Sequence, residues 1–291
     1  RTRHLAVVGM GLMGGSMALA LRPYAERITG IDPDPATREY AVTNGVVDRA
    51  TDDLREGVRE ADTVVLAAPV RAIVEMLDRR LGTYLRSNTF LIDIGSTKQD
   101  ICRVMAQRLP IGIQAIGGHP MTGKEHNGIG ASDAGLWENR PFVLTPTTRT
   151  TPATILRALS FAQTLGAVPI QMDPARHDRI VAAISHLPYL LSAGLVATVA
   201  AEAGRDEDVW ALAAGGFRDT SRLAASDIRM MSDILSTNGQ SVATLLALFR
   251  VQLAQMEALL VSGEYEALAT FLNPVRDARN LWQEQYEGKR S

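Results

Sequence analysis

The sequence predicts a doubly wound α/β sheet followed by an all-helical domain. Three features lead there. Short apolar runs alternate with helix-like segments through the first half of the chain. A glycine-rich turn joins the first such run to the first helical segment. After about Asp173 strand signals become scarce and long amphipathic stretches take over. Strand–helix alternation favours parallel strands, because each crossover helix must return across one face of the sheet.

In order, residues 4–8, 28–31, 63–67, 90–94 and 114–116 read as buried parallel strands. Residues 14–21, 35–44, 72–81 and 98–108 read as the helices between them. Residues 142–145 and 168–170, flanking a helix near 152–165, extend the sheet. Beyond Asp173, residues 175–187 form a helix ending at Pro188, residues 189–203 one ending at Gly204, and residues 206–213 one ending at Gly215-Gly216. Residues 226–236, 240–261 and a segment from Glu264 complete the helical half. The expected domains are therefore 1–172 and 173–291.

In the segment 240–261, Val242, Leu245, Leu246, Phe249, Leu253, Met256 and Leu260 recur at three- and four-residue spacing, making one apolar stripe. Such a stripe fits an ordinary core and also fits packing against a second copy. A homodimer through the helical domain is the expected assembly.

Bulk composition narrows the function classes. Of 291 residues, 46% are apolar and 21% charged, as in ordinary soluble globular proteins. A net charge of −2 argues against nucleic acid as the main partner, since phosphate binding calls for a clustered positive surplus. The single cysteine, Cys102, permits no intramolecular disulfide and no cysteine-based zinc site, which fits a cytoplasmic location. No metal site is expected. The chain opens directly into a core strand without a leader pattern. Arg250, Gln252, Gln255 and Glu257 interrupt the greasiest stretch and argue against a membrane span. With the last helical segment close to residue 291, no added regulatory domain is expected.

Gly9-Met10-Gly11-Leu12-Met13-Gly14 is a G-x-G-x-x-G turn between a strand and a helix. Gly9 allows the tight turn, Gly11 lets the backbone approach a pyrophosphate, and Gly14 permits close helix–strand packing. Leu12 and Met13 open the helix whose N-terminus faces the anion. Asp32 closes the next strand, eighteen residues after Gly14, where a carboxylate would hydrogen-bond the adenosine ribose. No arginine adjoins it in sequence to hold a 2′-phosphate. The pattern predicts a Rossmann-type site preferring NAD over NADP, with FAD or a ligand-free turn as the competing readings. Ala67-Ala68-Pro69 is small and turn-forming, so Ala68 and Pro69 are candidates for a wall against the cofactor.

Four further segments fall at strand ends or in the helical half. They are Asp93-Ile94-Gly95-Ser96-Thr97-Lys98-Gln99, the run from Gly117 through His119-Pro120-Met121-Thr122 to Glu125, Ser185-His186-Leu187-Pro188, and the run from Gly215 to Arg222. Ligands of open α/β sheets bind outside the carboxyl ends of the strands. These stretches, with Leu136-Trp137-Glu138-Asn139 and Leu144-Thr145-Pro146, resemble the prephenate and arogenate dehydrogenases over about residues 4–285. The resemblance implies hydride transfer to a nicotinamide coupled to loss of a ring carboxylate as CO2. It implies that His119 accepts the proton of the substrate hydroxyl, that Ser96 lies near that hydroxyl, and that His186 is a second active-site histidine. It also implies that Arg222 binds a substrate carboxylate. Arg218 and Thr122 are further substrate-binding candidates.

Elementary chemistry agrees with these roles. A secondary alcohol losing hydride needs a base for its proton, and neutral imidazole suits that task near pH 7. A dicarboxylate substrate needs cations, and arginine offers a planar, permanently charged fork. Each residue also has a plainer reading. Ser96-Thr97-Lys98-Gln99 is a capping-box pattern opening the next helix. His119 could serve only a turn before Pro120, His186 could satisfy local backbone, and Arg222 could pair with Asp219 or Asp227. Lys98 and Lys124 could raise only the local potential, and His4 and His177 carry no legible signal. The rival functions are a β-hydroxyacid dehydrogenase and a non-catalytic NAD-binding protein. The former often uses a lysine from its helical domain, and this helical half has none before Lys289. Nothing in the residues separates prephenate from arogenate as substrate.

Overall fold

The structure, a computed structural model, describes residues 2–124 and 126–287. Eight strands form one sheet: β1 (Thr2–Val8), β2 (Ala25–Ile31), β3 (Arg49–Thr51), β4 (Thr63–Leu66), β5 (Phe90–Asp93), β6 (Gln114–Pro120), β7 (Pro141–Thr145) and β8 (Val168–Gln171). Their spatial order is β3-β2-β1-β4-β5-β6-β7-β8. The first six are parallel, β7 runs antiparallel to β6, and β8 is parallel to β7.

The crossovers are α1 (Leu12–Leu21), α2 (Pro35–Thr43), α3 (Leu54–Val58), α4 (Val70–Arg79) with the short α5 (Leu81–Tyr84), α6 (Gln99–Arg108) and α7 (Pro152–Thr164). Side chains alternate across β1, so Leu5 and Val7 enter one buried cluster while Ala6 and Val8 enter the other. Both sheet faces are thus covered, as parallel strands require. The sequence reading omitted β3, a three-residue edge strand with little apolar content. It also stopped β6 at Ile116, whereas pairing with β7 carries that strand to Pro120.

After β8 the chain is helical: α8 (Pro174–Val181), α9 (Leu187–Ala203), α10 (Asp208–Ala211), α11 (Gly215–Ser221), α12 (Ile228–Ser262) and α13 (Tyr265–Trp282). Pro188 does not end a helix. A π-type turn, Ala182–His186, leads from α8 directly into α9, and Pro188 sits in the first turn of α9. Proline has no N–H to give, and a wide turn absorbs the missing bond. The helices expected at 226–236 and 240–261 both form, as the two parts of α12 on either side of a kink where Asn238 leaves helical geometry (φ −133°, ψ 18°).

Packing divides the chain into two compact units, Arg1–Gly239 and Gln240–Ser291. This boundary falls later than the change of periodicity near Asp173. The reason is a set of polar fasteners between the first helices of the second half and the sheet layer. Asp178 accepts the backbone N–H groups of Lys98 and Gln99, the Thr97 and Thr237 hydroxyls lie 2.8 Å apart, and Arg71 N donates to Asp233 at 3.1 Å. In the second unit Gly263, with φ +72°, makes the turn between α12 and α13. Large apolar side chains there, including Val251, Leu260, Val261, Tyr265 and Val275, are more than half exposed. Helical stretches Pro174–Ala203 and Ile228–Ser262 are long and apolar enough to cross a bilayer on length and composition alone.

Candidate active site

Because β1, β4, β5 and β6 are parallel, their carboxyl ends share one edge of the sheet, and the chain changes direction of winding between β1 and β4. The glycine turn lies at that switch point. Gly9 adopts φ +90° and donates its N–H to Ile31 O at 2.7 Å, and a Cβ built on it would meet Ala67 O at 2.6 Å. Gly14 is closed in more tightly, since its Cβ would fall 1.8 Å from Gly9 O. Gly11 differs: among the described residues nothing lies within 4 Å of the position a Cβ would take. It precedes Leu12 at the start of α1, a helix with no side-chain cap and no acid in its first turn. The Leu12 side chain is buried and that of Met13 half-buried, so these two residues offer an anion their backbone N–H groups.

Asp32 ties the loops together, its carboxylate accepting Met10 N at 2.8 Å and Asp34 N at 2.9 Å. Ala68 is half-buried and Pro69 exposed beside this turn. One feature escaped the sequence reading, which saw no arginine next to Asp32. Arg38, six residues on, reaches back to the carbonyls of Asp32 (2.7 Å) and Pro33 (2.8 Å) and lies 3.5 Å from Asp52. Its guanidinium is engaged by these acceptors. The open space at Gly11, the uncapped helix end and the Asp32 carboxylate together fit a dinucleotide.

Three loops away, at the same edge, is a buried polar cluster. His119 is a strand residue, near the end of β6 and paired with Val143 of β7. Its Nδ1 lies 2.8 Å from Nε2 of His177 in α8, and His177 Nδ1 lies 2.7 Å from Asp178 Oδ1. His186, the last residue of the π-type turn, has its Nδ1 3.2 Å from the Asn238 amide nitrogen, which also donates to Asp178 O at 2.7 Å. π-type turns recur at functional positions, where one extra residue re-aims a side chain.

Beneath His119 the fully buried Lys98 ammonium pairs with the fully buried Asp93 and donates to Gly118 O at 2.7 Å. Burial raises the Asp93 carboxyl from its ordinary value, opposed by Lys98 and by the N–H groups of Gly95 and Gly118. His119 is half-buried as a residue, yet dense surroundings hold its pKa well below the usual imidazole value. Burial is the main cause, followed by the charge effects of His177, Lys98 and His186. Burial likewise lowers His186 to about 4, against the attraction of Asp178. Both imidazoles are neutral near pH 7, able to accept a proton or to hydrogen-bond without charge.

The remaining predicted residues are placed as follows. Ser96 is half-buried after β5, but it does not cap α6: Asp178 does so from α8, and the N-cap residue is Lys98. Among the described residues the Ser96 hydroxyl has no hydrogen-bond partner, and it lies two residues before the N-cap position. Thr122 donates its hydroxyl to Leu136 O at 3.1 Å, bracing the loop after β6. Arg218 pairs with Asp219 on an exposed face. Arg222 is exposed, in a short turn held to α9 by the hydrogen bond from Ala224 N to Ser192 Oγ (2.9 Å). Lys124 pairs with Asp133 at the surface. The structure brings His119, His186 and Lys98 into one cluster, and adds His177, Asp178 and Asn238, which the sequence reading did not assign.

Comparison with known proteins bears on this arrangement. A family model described as prephenate dehydrogenase, nucleotide-binding domain, matches residues 17–171. A second, described as prephenate dehydrogenase, dimerization domain, matches residues 173–274. The chain is 34% identical over 244 residues to a Bacillus subtilis prephenate dehydrogenase, covering 82% of this chain and 65% of that one. Among solved structures it is similar to prephenate dehydrogenase from Aquifex aeolicus in complex with hydroxyphenyl propionate and NAD+. That match has TM-score 0.87 and 30% identity, and it covers 96% of this chain and 98% of that one. It is also similar to Synechocystis arogenate dehydrogenase, with TM-score 0.81 and 31% identity, covering 96% and 99% of the two chains.

Proposed function

The chain belongs to the prephenate dehydrogenase family, and we propose that it catalyses NAD-dependent oxidative decarboxylation of prephenate to 4-hydroxyphenylpyruvate. The observation that carries this reading is the convergence of a neutral, half-buried His119 and an uncapped glycine turn on one edge of a parallel sheet. Gly9, Gly11 and Gly14 shape the turn, Leu12 and Met13 present N–H groups to the pyrophosphate, and Asp32 takes the ribose. Ala68 and Pro69 wall the crevice. NAD, when bound there, supplies the two-electron acceptor for the substrate's hydride.

His119 takes the proton of the ring hydroxyl as that carbon is oxidised, and returns it to the phenolate once CO2 has left with ring aromatisation. His186 and Ser96 position the oxygen functions, with the otherwise unpartnered Ser96 hydroxyl available to the substrate. Arg222 binds one carboxylate as a planar fork, with Arg218 and Thr122 lesser candidates. The buried Lys98 keeps His119 unprotonated and so ready to act as a base.

The same reading places the functional division at 172/173, supported by the two family models that meet there. The exposed apolar side chains of α12 and α13 are covered by a second copy, giving a homodimer. Both bilayer-length stretches lie within the region matching the dimerization domain, which favours a protein partner over lipid. A net charge of −2 and the lone, buried Cys102 favour a cytoplasmic enzyme that does not act on nucleic acid.

The test is reduction of NAD and of NADP with prephenate and with arogenate, in wild type and His119→Asn. Turnover with prephenate and NAD, lost by at least about 100-fold in the variant while NAD binding persists, is the expected result. Full activity in His119→Asn removes it as the base. Turnover with arogenate alone assigns the other acid.

A further inference from the structure

Building on the reading of His119 as the base, we propose that Asp178 fixes the tautomers of both active-site histidines. Its carboxylate, acting through His177, makes His119 a proton acceptor at Nε2, and its main-chain carbonyl, acting through Asn238, makes His186 a donor at Nε2.

The first arm follows from donor and acceptor inventories. The Asp178 carboxylate accepts Lys98 N at 2.8 Å and Gln99 N at 2.9 Å, both at the start of α6. An ionised carboxylate only accepts, so the 2.7 Å contact to His177 Nδ1 places a hydrogen on that nitrogen. Neutral His177 then carries its lone pair on Nε2. Facing it at 2.8 Å, His119 Nδ1 must donate. The His119 lone pair is left on Nε2, which has no protein partner among the described residues. His119 and His177 meet edge to face, centroids 5.0 Å apart, so the bond runs from the edge of one ring and does not compete with stacking.

The second arm begins at the Asp178 carbonyl, which also only accepts. The Asn238 atom 2.7 Å from it must therefore be the amide NH2. The second hydrogen of that group points to His186 Nδ1 at 3.2 Å, which makes Nδ1 the lone-pair nitrogen and puts the ring hydrogen on Nε2. Asn238 pays for this orientation: its Oδ1 is buried without a partner among the described residues. Rotating the amide would oppose Oδ1 to the Asp178 carbonyl, so the unpaired acceptor is retained. The departure of Asn238 from helical geometry brings its amide to this position within α12. The pair thus presents one acceptor and one donor, which suits a hydroxyl that must lose a proton while its oxygen, or a neighbouring carboxylate, is held.

His177 and Asp178 are positioning residues, and Asp178→Asn tests them sharply. Lys98 N and His177 Nδ1 share Oδ1, while Gln99 N takes Oδ2. An asparagine with its amide nitrogen at the Oδ1 site donates to His177 Nδ1 and moves the His177 and His119 hydrogens to Nε2. One with its carbonyl there keeps the wild-type tautomers, and the His177 signals report which. The Asp178 carbonyl is untouched, so His186 serves as an internal control. Imidazole 15N spectra of the full chain should show His119 as the Nδ1–H tautomer and His186 as the Nε2–H tautomer in the wild type. Where His177 inverts in Asp178→Asn, the first should invert with it and the second should not. The kcat should fall on the order of 10²–10⁴-fold, with NAD affinity and KM within about threefold.

Should Asp178→Asn fail to fold because α6 loses its cap, or keep the wild-type His177 tautomer, His177→Phe keeps the cap and the ring shape and removes the acceptor of His119 Nδ1. It should lower kcat and move the acid limb of the kcat profile. A His119 that fails to follow an inverted His177 in Asp178→Asn, a doubly protonated His177 in the wild type, or an unchanged kcat and pH profile in His177→Phe overturns the proposal. Full activity of His119→Asn would instead sink the base assignment, a separate outcome that leaves the spectra as they are.

Discussion

Gly11 and Gly14 stand three residues apart in one motif, yet the structure gives an added methyl opposite consequences at the two positions. At Gly14 a Cβ would lie 1.8 Å from Gly9 O, 2.9 Å from Gly9 C and 3.2 Å from Ala67 Cβ. The obstacle is backbone, so no rotamer change relieves it. Relief needs more than 1 Å of separation between α1 and the turn, and Gly9 is held by its 2.7 Å hydrogen bond to Ile31. Overpacking a core typically costs about 1–3 kcal/mol, and an unyielding backbone places Gly14→Ala at the top of that range or above. For a domain of this size, about 3 kcal/mol lowers Tm by roughly 6–12 °C. At Gly11 the methyl meets nothing within 4 Å among the described residues, and the residue's φ of −70° suits alanine. Gly11→Ala should melt within about 2 °C of wild type but bind NAD at least about tenfold more weakly, because the methyl stands where the pyrophosphate approaches. Thermal melts and NAD titration on the two variants form the assay. A Gly14→Ala melt at the wild-type temperature would refute the close packing, and unchanged NAD affinity in Gly11→Ala would refute the cradle.

Two further outcomes follow from the buried charges. Lys98→Met strands the Asp93 carboxylate, fully buried, with only the N–H groups of Gly95 and Gly118, and should cost about 3–5 kcal/mol in urea unfolding. The same change removes a cation beside His119, so the acid limb of kcat should move to higher pH; wild-type stability with an unmoved limb would contradict both roles. His186 has a folded pKa of about 4, below its unfolded value of 6.5. Its contribution to stability is therefore complete above about pH 6.5 and is lost as pH falls toward 4. At pH 5 the loss should be on the order of 1–2 kcal/mol, allowing for partial solvent screening. His186→Gln should remove that part of the slope in unfolding curves, and identical slopes would exclude it.

How much of this was legible in the sequence depends on the range of the interaction concerned. The sheet was readable because each strand is a local apolar run bounded by turn residues, and the glycine turn because its chemistry lies within six consecutive residues. β3 was lost because three edge residues carry almost no apolar signal. Pro188 misled because its effect depends on whether a π-type turn precedes it, which no local rule decides. The histidine cluster was only half legible: His119 and His186 could be named from motifs, but His177 could not. Its meaning comes from a partner 58 residues earlier and from an aspartate whose other ligands are 80 and 79 residues away. The capping-box reading of Ser96 failed for the same reason. A cap supplied through space replaced the one supplied in sequence, and left the serine hydroxyl for other use.

Asp178 also explains why the change of periodicity near Asp173 and the boundary of the first compact unit do not coincide. Its carboxylate caps α6 of the sheet layer while hydrogen-bonding His177, and its carbonyl holds Asn238 at the break in α12. Separating the chain at residue 173 would therefore uncap a helix of the nucleotide-binding half. It would also take from His119 the partner that decides which of its nitrogens carries the proton. The glycine turn, Asp32 and His119 would all remain on the first piece, so such a fragment would keep the elements that bind dinucleotide and lose the setting of the base. Nucleotide binding and proton transfer are thus divisible in sequence but joined through one aspartate in the fold. That joining requires the first helices of the second half, up to Gly239, to pack with the sheet as a single unit.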